Sequence, residues 1–233
     1  MSKDDTRCSE RMNIAIDGPA GAGKSTVARR VAEKLGYIYI DTGAMYRAVT
    51  LAANRAGIEP TESDELGAIA RRSEVILKPG AEGQIVLLDG EDVTDAIRTR
   101  DVTLRVSQVA AHQQVRARLV ELQRKMAAAG GIVMDGRDIG THVLPDAELK
   151  IFLTASVQIR ALRRYRELRD EQKVPLDQLE AEIAERDRSD QEREVSPLVC
   201  ADDAVVVDST ELNIDQVVEI ILNLSRTKLA EAK

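Results

Sequence analysis

Hydrophobic positions along the chain follow two rhythms in turn. Ile14, Ala15 and Ile16 are contiguous, as in a strand buried on both faces. After a glycine-rich interval, Val27, Ala28, Val31, Ala32 and Leu35 recur at the three- and four-residue spacing of one helix face, closed by Gly36. The pattern then repeats. Tyr37-Ile38-Tyr39-Ile40 is short, aromatic and β-branched and predicts a second strand ending at Asp41, where Asp41 or Thr42 can cap a helix running through Val49, Ala52 and Ala53 to Gly57. Further on, Ile132-Val133-Met134, Leu149 to Leu153 and Ala204 to Val207 read as three more core strands. Ile214, Val217, Val218, Ile221 and Leu222 form the apolar stripe of a closing helix. Strands alternating with helices predict an α/β fold around a five-stranded parallel sheet.

Two stretches interrupt that rhythm. Within 58–100, Val75 to Lys78 and Gln84 to Leu88 flank Pro79-Gly80-Ala81-Glu82-Gly83 and predict an antiparallel hairpin, the sign of an inserted subdomain. Two helical patterns follow, the clearer one carried by Val115, Leu119, Leu122 and Met126 and ended by Gly130-Gly131. The second interruption is rich in arginine. Arg160, Arg163, Arg164, Arg166 and Arg169 fall at helical spacing, Gln172-Lys173-Val174-Pro175 breaks the helix, and Asp177 with Glu180 resembles the start of another. These breaks divide the chain into a disordered extension at 1–11, a core of 12–41, 107–156 and 195–233, an inserted subdomain of 42–106 and a helical lid of 157–194.

The chemistry concentrates where the first strand meets the first helix. Gly18-Pro19-Ala20-Gly21-Ala22-Gly23-Lys24-Ser25-Thr26 fits GxxxxGK[ST], and its strand-before, helix-after context is the one in which that pattern cradles phosphate. Backbone N–H groups of the loop and of the helix N-terminus surround phosphate oxygens, Lys24 reaches the β- and γ-phosphates, and the Ser25 hydroxyl holds Mg²⁺. The fold class is therefore that of the P-loop NTPases. At a second corner, Asp135-Gly136-Arg137-Asp138-Ile139-Gly140 follows a buried strand at the edge where open α/β sheets bind ligands. A salt-bridged turn is the competing reading. Tyr46 and Arg47, just after the second strand, point toward the same edge, although spacing alone also fits a solvated Arg on a helix surface. Arg186, Asp190 and Arg193 share one helical face. Such Arg/Glu mixtures fit either a solvated face or a mobile lid that brings arginines over transferring phosphates.

Bulk properties narrow the classes. The 233 residues suffice for one α/β core with insertions, and a single Phe and no Trp make that core aliphatic. A net charge of −7 argues against a general nucleic-acid binder. Cys8 and Cys200 form no metal or disulfide pattern, residues 2–11 lack the apolar run of a signal peptide, and no segment is apolar enough to span a bilayer. The expectation is a cytoplasmic protein without membrane or nucleic-acid partners, and a monomer, since no long apolar stripe is left over.

GPAGAGKST, DTGAMYR at 41–47, the inserted hairpin, DGRDIG at 135–140 and RDRSDQER at 186–193 followed by Ser196-Pro197-Leu198 together resemble the bacterial cytidylate kinases, within the nucleoside monophosphate kinases, from about Asn13 to Lys228. The resemblance implies transfer of the ATP γ-phosphoryl group to CMP or dCMP in pyrimidine nucleotide metabolism. It also implies an inserted domain for the monophosphate and a lid. By the same resemblance Gly18 to Thr26 hold ATP, and Lys24, Arg137 and Arg186 are catalytic. Thr42, Tyr46, Arg47, Arg137 and Asp138 hold the acceptor, Ser107 and Arg116 the cytosine, and Arg186, Asp190 and Arg193 the ribose and phosphate end. Cytosine offers an amino donor beside ring-nitrogen and carbonyl acceptors, a set that Asp138, Ser107 and Arg116 complement.

Other readings share parts of this pattern. A kinase for shikimate or another small metabolite lacks support at Asp41, which is followed by Thr42-Gly43 and not by the acidic pair such a kinase carries. A GTPase switch or a motor ATPase lacks its guanine reader or its Asp-Glu strand end, because Ile132 to Met134 runs into Asp135-Gly136. An inert scaffold fits poorly with an intact Lys24-Ser25 pair.

Overall fold

The structure is a computed structural model that describes residues 11–80, 83–168 and 173–231. Apart from Arg11, the expected N-terminal extension lies outside the described residues, as do Ala81 and Glu82 of the hairpin loop and Arg169 and Gln172 of the expected lid. Among the described residues the larger sheet has five strands: β1 (Ile14–Asp17), β2 (Ile38–Asp41), β6 (Ile132–Asp135), β7 (Leu149–Thr154) and β8 (Val205–Asp208), in the order β2-β6-β1-β7-β8. β1 lies at the centre, parallel to β6 on one side and to β7 on the other, and β8 continues parallel to β7. All four residues of β1 are buried, the reason its sequence is a continuous apolar run ending in one carboxylate. Helices α1 (Lys24–Leu35) and α8 (Ile214–Glu231) cover this sheet. Val27, Val31, Val218, Ile221 and Leu222 pack with Ile14, Ile16, Ile151 and Leu153 in one aliphatic cluster.

The chain packs as two units. The first comprises the described residues of 11–39, 129–192 and 196–233 and the second those of 40–128 with 193–195. The first unit includes α6 (Val157–Glu167) and α7 (Leu176–Glu192), which pack on each other through Ala161, Leu179 and Ile183. The second unit holds α2 (Thr42–Arg55), α3 (Ser63–Arg72), α4 (Arg100–Ala111), α5 (Gln113–Ala127) and a three-stranded sheet, β3-β4-β5. In that sheet β3 (Val75–Gly80) and β4 (Gly83–Leu88) make the antiparallel hairpin, and the short β5 (Glu91–Asp92) adds to β4. Met45, Leu66, Ile69, Val86, Ile97, Val115 and Leu119 form its core.

Four local features differ from the sequence expectations. Residues 107–128, assigned to the core by pattern, pack in the second unit, because Val115 and Leu119 of α5 join the cluster built by α2 and α3. α3 and β5 carry little signal: α3 buries only Leu66, Gly67, Ile69 and Ala70 in a charged stretch, and both β5 residues are exposed. Asp177 lies inside the first turn of α7 and does not cap it, since Pro175 already precedes the helix and its carbonyl accepts from the Leu179 N–H at 3.1 Å. Arg193 lies beyond the end of α7, so it does not share that helix's face with Arg186 and Asp190.

Where β1 gives way to the glycine loop, the sheet leaves no room for a side chain. Gly18 has φ +145°, and a Cβ there would meet the Leu153 carbonyl oxygen of β7 at 2.0 Å, which only a backbone shift relieves. Gly18→Ala is therefore expected to destabilise the protein by about 2 kcal/mol or more. At this chain length that is a drop of roughly 4–8 °C in Tm, readable by differential scanning calorimetry. An unchanged Tm would refute the packing described.

Candidate active site

Two corners of the sheet come together because their strands are parallel neighbours. Ile16 of β1 pairs with Asp135 of β6, and the Gly136 N–H donates to the Ile16 carbonyl at 3.1 Å, so the loops after both strands leave from the same edge. The first loop enters α1 through Gly23, which caps the helix in the left-handed region at φ +87°. Behind it the first N–H groups of α1 have no acceptor within the helix and face the loop, the arrangement that binds anions.

Lys24 opens that helix and is buried, its Nζ donating to the Pro19 carbonyl at 2.7 Å. Burial, helped by the Arg137 and Arg186 cations, lowers its pKa to about 7 against the opposing pull of Asp135 and Asp17. Ser25 donates from Oγ to Asp135 Oδ2 at 3.0 Å, and the Tyr39 hydroxyl donates to Asp135 Oδ1 at 2.8 Å, so the carboxylate is fixed from both sides. A hydroxyl and a carboxylate side by side at the foot of a phosphate loop are the hard oxygen donors that Mg²⁺ takes alongside phosphate and water.

The second corner supplies the arginine. Arg137 donates from Nε to Asp190 Oδ2 at 2.8 Å and from Nη1 to the Gly136 carbonyl at 3.2 Å, tying the corner after β6 to α7. Burial works against its charge, but Asp190 and then Asp135 and Asp187 outweigh burial and hold the guanidinium above its ordinary pKa. Arg186, half-buried one turn before Asp190, is lowered to about 10 by burial and by Arg137, and so remains a cation at neutral pH. Its Nε has no hydrogen-bond partner among the described residues, leaving a donor for an incoming anion. Asp138, the next residue along, is buried at the head of a π-helical turn, Ile139–Val143.

Three groups to which the sequence reading gave no individual role complete this unit. Arg160 of α6 donates from Nη1 to the Ala20 carbonyl at 2.9 Å and pairs with Asp187 of α7 at 2.6 Å, while Asp187 Oδ1 accepts the Ala20 N–H at 3.2 Å. Both backbone polar groups of Ala20, the N–H of one peptide and the carbonyl of the next, are thus held by a buried ion pair. Asp17, the last residue of β1, accepts N–H donors from Ile139 and Gly140 on its two oxygens at 2.8 and 2.7 Å. Burial lifts its pKa to about 6 although both N–H bonds act against that shift. A carboxylate closing a wholly apolar strand was the one local hint of it.

The second unit gathers the remaining expected residues. Asp41 caps α2, accepting the Ala44 N–H at 2.9 Å, which leaves Thr42 as the buried first residue of the helix. Arg47 donates from Nη1 to the Thr103 hydroxyl at 2.8 Å and the Ile97 carbonyl at 3.2 Å. The Arg116 guanidinium lies 5.4 Å from the centroid of the buried Tyr46 ring and donates to the Ala110 carbonyl at 3.2 Å. Ser107 Oγ is buried with no hydrogen-bond partner among the described residues, as is the amide of Gln123, which no motif singled out. Lys24, Ser25, Arg137, Asp138, Arg186 and Asp190 therefore belong to the first unit, and Thr42, Tyr46, Arg47, Ser107, Arg116 and Arg193 to the second. Among the described residues no helix is long and apolar enough to cross a membrane.

Comparison with known proteins gives the family. The family model for cytidylate kinase matches residues 14–227. A cytidylate kinase of Exiguobacterium sibiricum is 55% identical over 94% of this chain and 99% of its own length. One of Geobacillus kaustophilus is 54% identical over 94% and 98%. Among solved structures, an uncharacterized protein from Eubacterium ventriosum shares the fold, with a TM-score of 0.53 at 14% identity over 93% of this chain and 99% of that one. A phosphate loop, a fixed Ser25–Asp135 pair and arginines set beside them are what a phosphoryl-transfer enzyme requires, and the chain belongs to the cytidylate kinase family of phosphotransferases.

Proposed function

We propose that this chain transfers the γ-phosphoryl group of ATP to CMP or dCMP, giving ADP and CDP or dCDP. The observation that carries the reading is the meeting of the two corners at one sheet edge, with Lys24 and Ser25 opening α1, Ser25 bonded to Asp135, and Arg137 held on Asp190 of the helix that carries Arg186. Gly18 to Thr26 take the ATP phosphates on backbone N–H groups, with Lys24 on the β- and γ-phosphates. Mg²⁺ would be held by Ser25 and Asp135, and when bound it neutralises charge on the phosphates.

An oxygen of the acceptor phosphate forms the new bond to the γ-phosphorus as the bond from that phosphorus to the bridging oxygen of ADP breaks. The acceptor phosphate has its second pKa near 6 and attacks as it stands, so no general base is assigned. Lys24, Arg137 and Arg186 stabilise charge that spreads over the equatorial oxygens. Asp190 holds the Arg137 guanidinium in place, a preorganised contact rather than one made during the reaction. Ser107, Arg116 and Asp138 are assigned to the cytosine, and Thr42, Tyr46, Arg47 and Arg193 to the rest of the acceptor. In support, Ser107 carries a buried unpaired hydroxyl, and Arg116 is stacked and backbone-anchored. The protein is read as a monomer acting in the cytoplasm.

The direct test follows ADP release with ATP and Mg²⁺ and with CMP, dCMP, UMP, AMP, GMP or shikimate offered separately. Fast turnover on CMP and dCMP alone is expected, and equal turnover on AMP would overturn the base assignment. Arg137→Ala should lower kcat by about a hundredfold or more, and Arg137→Lys should recover part of the loss by restoring charge without the planar fork. Wild-type turnover in the alanine variant would remove Arg137 from the mechanism. The Lys24 pKa gives a third expectation. At pH 8 the free enzyme is largely deprotonated there, and phosphate oxygens favour the ammonium, so ATP binding should take up a sizeable fraction of one proton. Calorimetry in two buffers of different ionisation enthalpy reads this, and Lys24→Met should abolish it; zero uptake by the wild type would contradict the shift.

A further inference from the structure

The proposed reaction gives Asp138 a role but leaves open what holds it. Asp138 heads a tight turn whose closing bonds run from the His142 and Val143 N–H groups back to its carbonyl, at 2.9 and 3.1 Å. The first N–H groups of such a turn point away from it and need acceptors from elsewhere. Here both go to one side chain 122 and 123 residues earlier, the Asp17 carboxylate. The Ile139 N–H belongs to the same peptide unit as the Asp138 carbonyl, so gripping it fixes the backbone on which the Asp138 side chain stands. Gly140 lies close beside this grip: a Cβ there would be 3.4 Å from Asp17 Oδ2, an ordinary contact, and 3.1 Å from Lys150 Cδ, which would have to give by a few tenths of an ångström.

Asp17 is also rooted in the most constrained place in the sheet. It ends the central strand, pairs in register with Phe152, and is followed directly by Gly18, which has no space for a side chain. An ionised carboxylate with two short N–H bonds is about twice as strong a clamp as a neutral acceptor. The groups facing it are Asp138, which opposes its charge, and Lys24, which favours it. Charged groups of both half-reactions thus sense this one carboxylate.

We infer that Asp17 is the positioning residue for the acceptor-reading turn, locking Asp138 to the strand from which the phosphate loop springs. The inference rests on the assignment of Asp138 to the acceptor nucleotide. It makes Asp17 a residue that governs acceptor binding although it touches no substrate.

The test measures KM for ATP and for the acceptor, and acceptor Kd by titration calorimetry, in Asp17→Asn, Asp17→Glu, Asp138→Asn and the Asp17→Asn/Asp138→Asn double variant. Asn at 17 can accept only one of the two N–H groups and turns its own NH₂ against the other. It should raise acceptor KM and Kd by about tenfold or more while ATP KM stays within about twofold. The double variant should bind acceptor no more weakly than Asp138→Asn alone, because both changes remove one function. Asp17→Glu keeps the charge but carries it one methylene further from the strand, out of register with the two N–H groups, and should produce the same selective rise, smaller in size. It decides the matter if Asp17→Asn does not fold. Equal rises for ATP and acceptor, multiplying effects in the double variant, or an unchanged acceptor KM in Asp17→Glu would overturn the inference and leave Asp17 a support of the sheet. Whether the wild type uses CMP judges the proposed reaction. The variant-to-wild-type ratios, taken with whichever monophosphate the wild type accepts, judge Asp17.

Discussion

Lys24, Arg137 and Arg186 repel one another, and the first unit is built to keep them together. Arg137 and Arg186 both disfavour the Lys24 charge and Arg137 disfavours that of Arg186, and what restrains the three is a set of carboxylates interleaved between: Asp135 beside Lys24, Asp190 on Arg137, and Asp187 near both arginines. Left alone, such a cluster would relax outward toward water. Here the carboxylates are themselves anchored, Asp135 by Ser25 and Tyr39 and Asp187 by Arg160 and the Ala20 peptide. The net effect is a cluster with cationic groups left facing the helix N-terminus, ready for a polyanion that finishes the neutralisation. The binding free energy of that anion is increased because its counter-charges are already assembled.

The same economy of connection appears in the framework. α6 and α7 are rich in arginine and poor in apolar side chains, with a core of only a few residues around Ala161, Leu179 and Ile183. Polar anchors therefore do much of the work of holding them: Arg163 to Ser209 and Arg160 to Ala155 and Ala20. Hydrogen bonds of this kind are directional, whereas apolar packing is not, so they specify where the arginines point as well as keeping the helices attached.

How much of this can be read from the chain depends on distance along it. The corner from Ile14 to Gly36 was legible because strand, loop and helix are contiguous and each residue type answers a local need; Asp135 to Gly140 was legible for the same reason. The grouping of α5 was not. A spacing of three and four reveals that Val115 and Leu119 share a face, but not that the face meets α2 and α3 instead of the parallel sheet. The supporting residues were the least visible. Asp187 and Arg160 meet Ala20 across 167 and 140 residues, and Tyr39 meets Asp135 across 96, and their partners are backbone groups or a carboxylate already assigned another purpose. No periodicity encodes such a pairing.

The grip on Ala20 has an evolutionary side. Arg160 and Asp187 address the carbonyl and N–H of that residue, groups that every residue except proline presents alike. The recognition is blind to the side chain at position 20, which is limited only by the space around a buried alanine. Small residues can exchange there through mutational drift while the loop keeps its shape. The side chains that hold this backbone are encoded instead in two distant codons, those for Arg160 and Asp187, whose ion pair couples a change in one to the other.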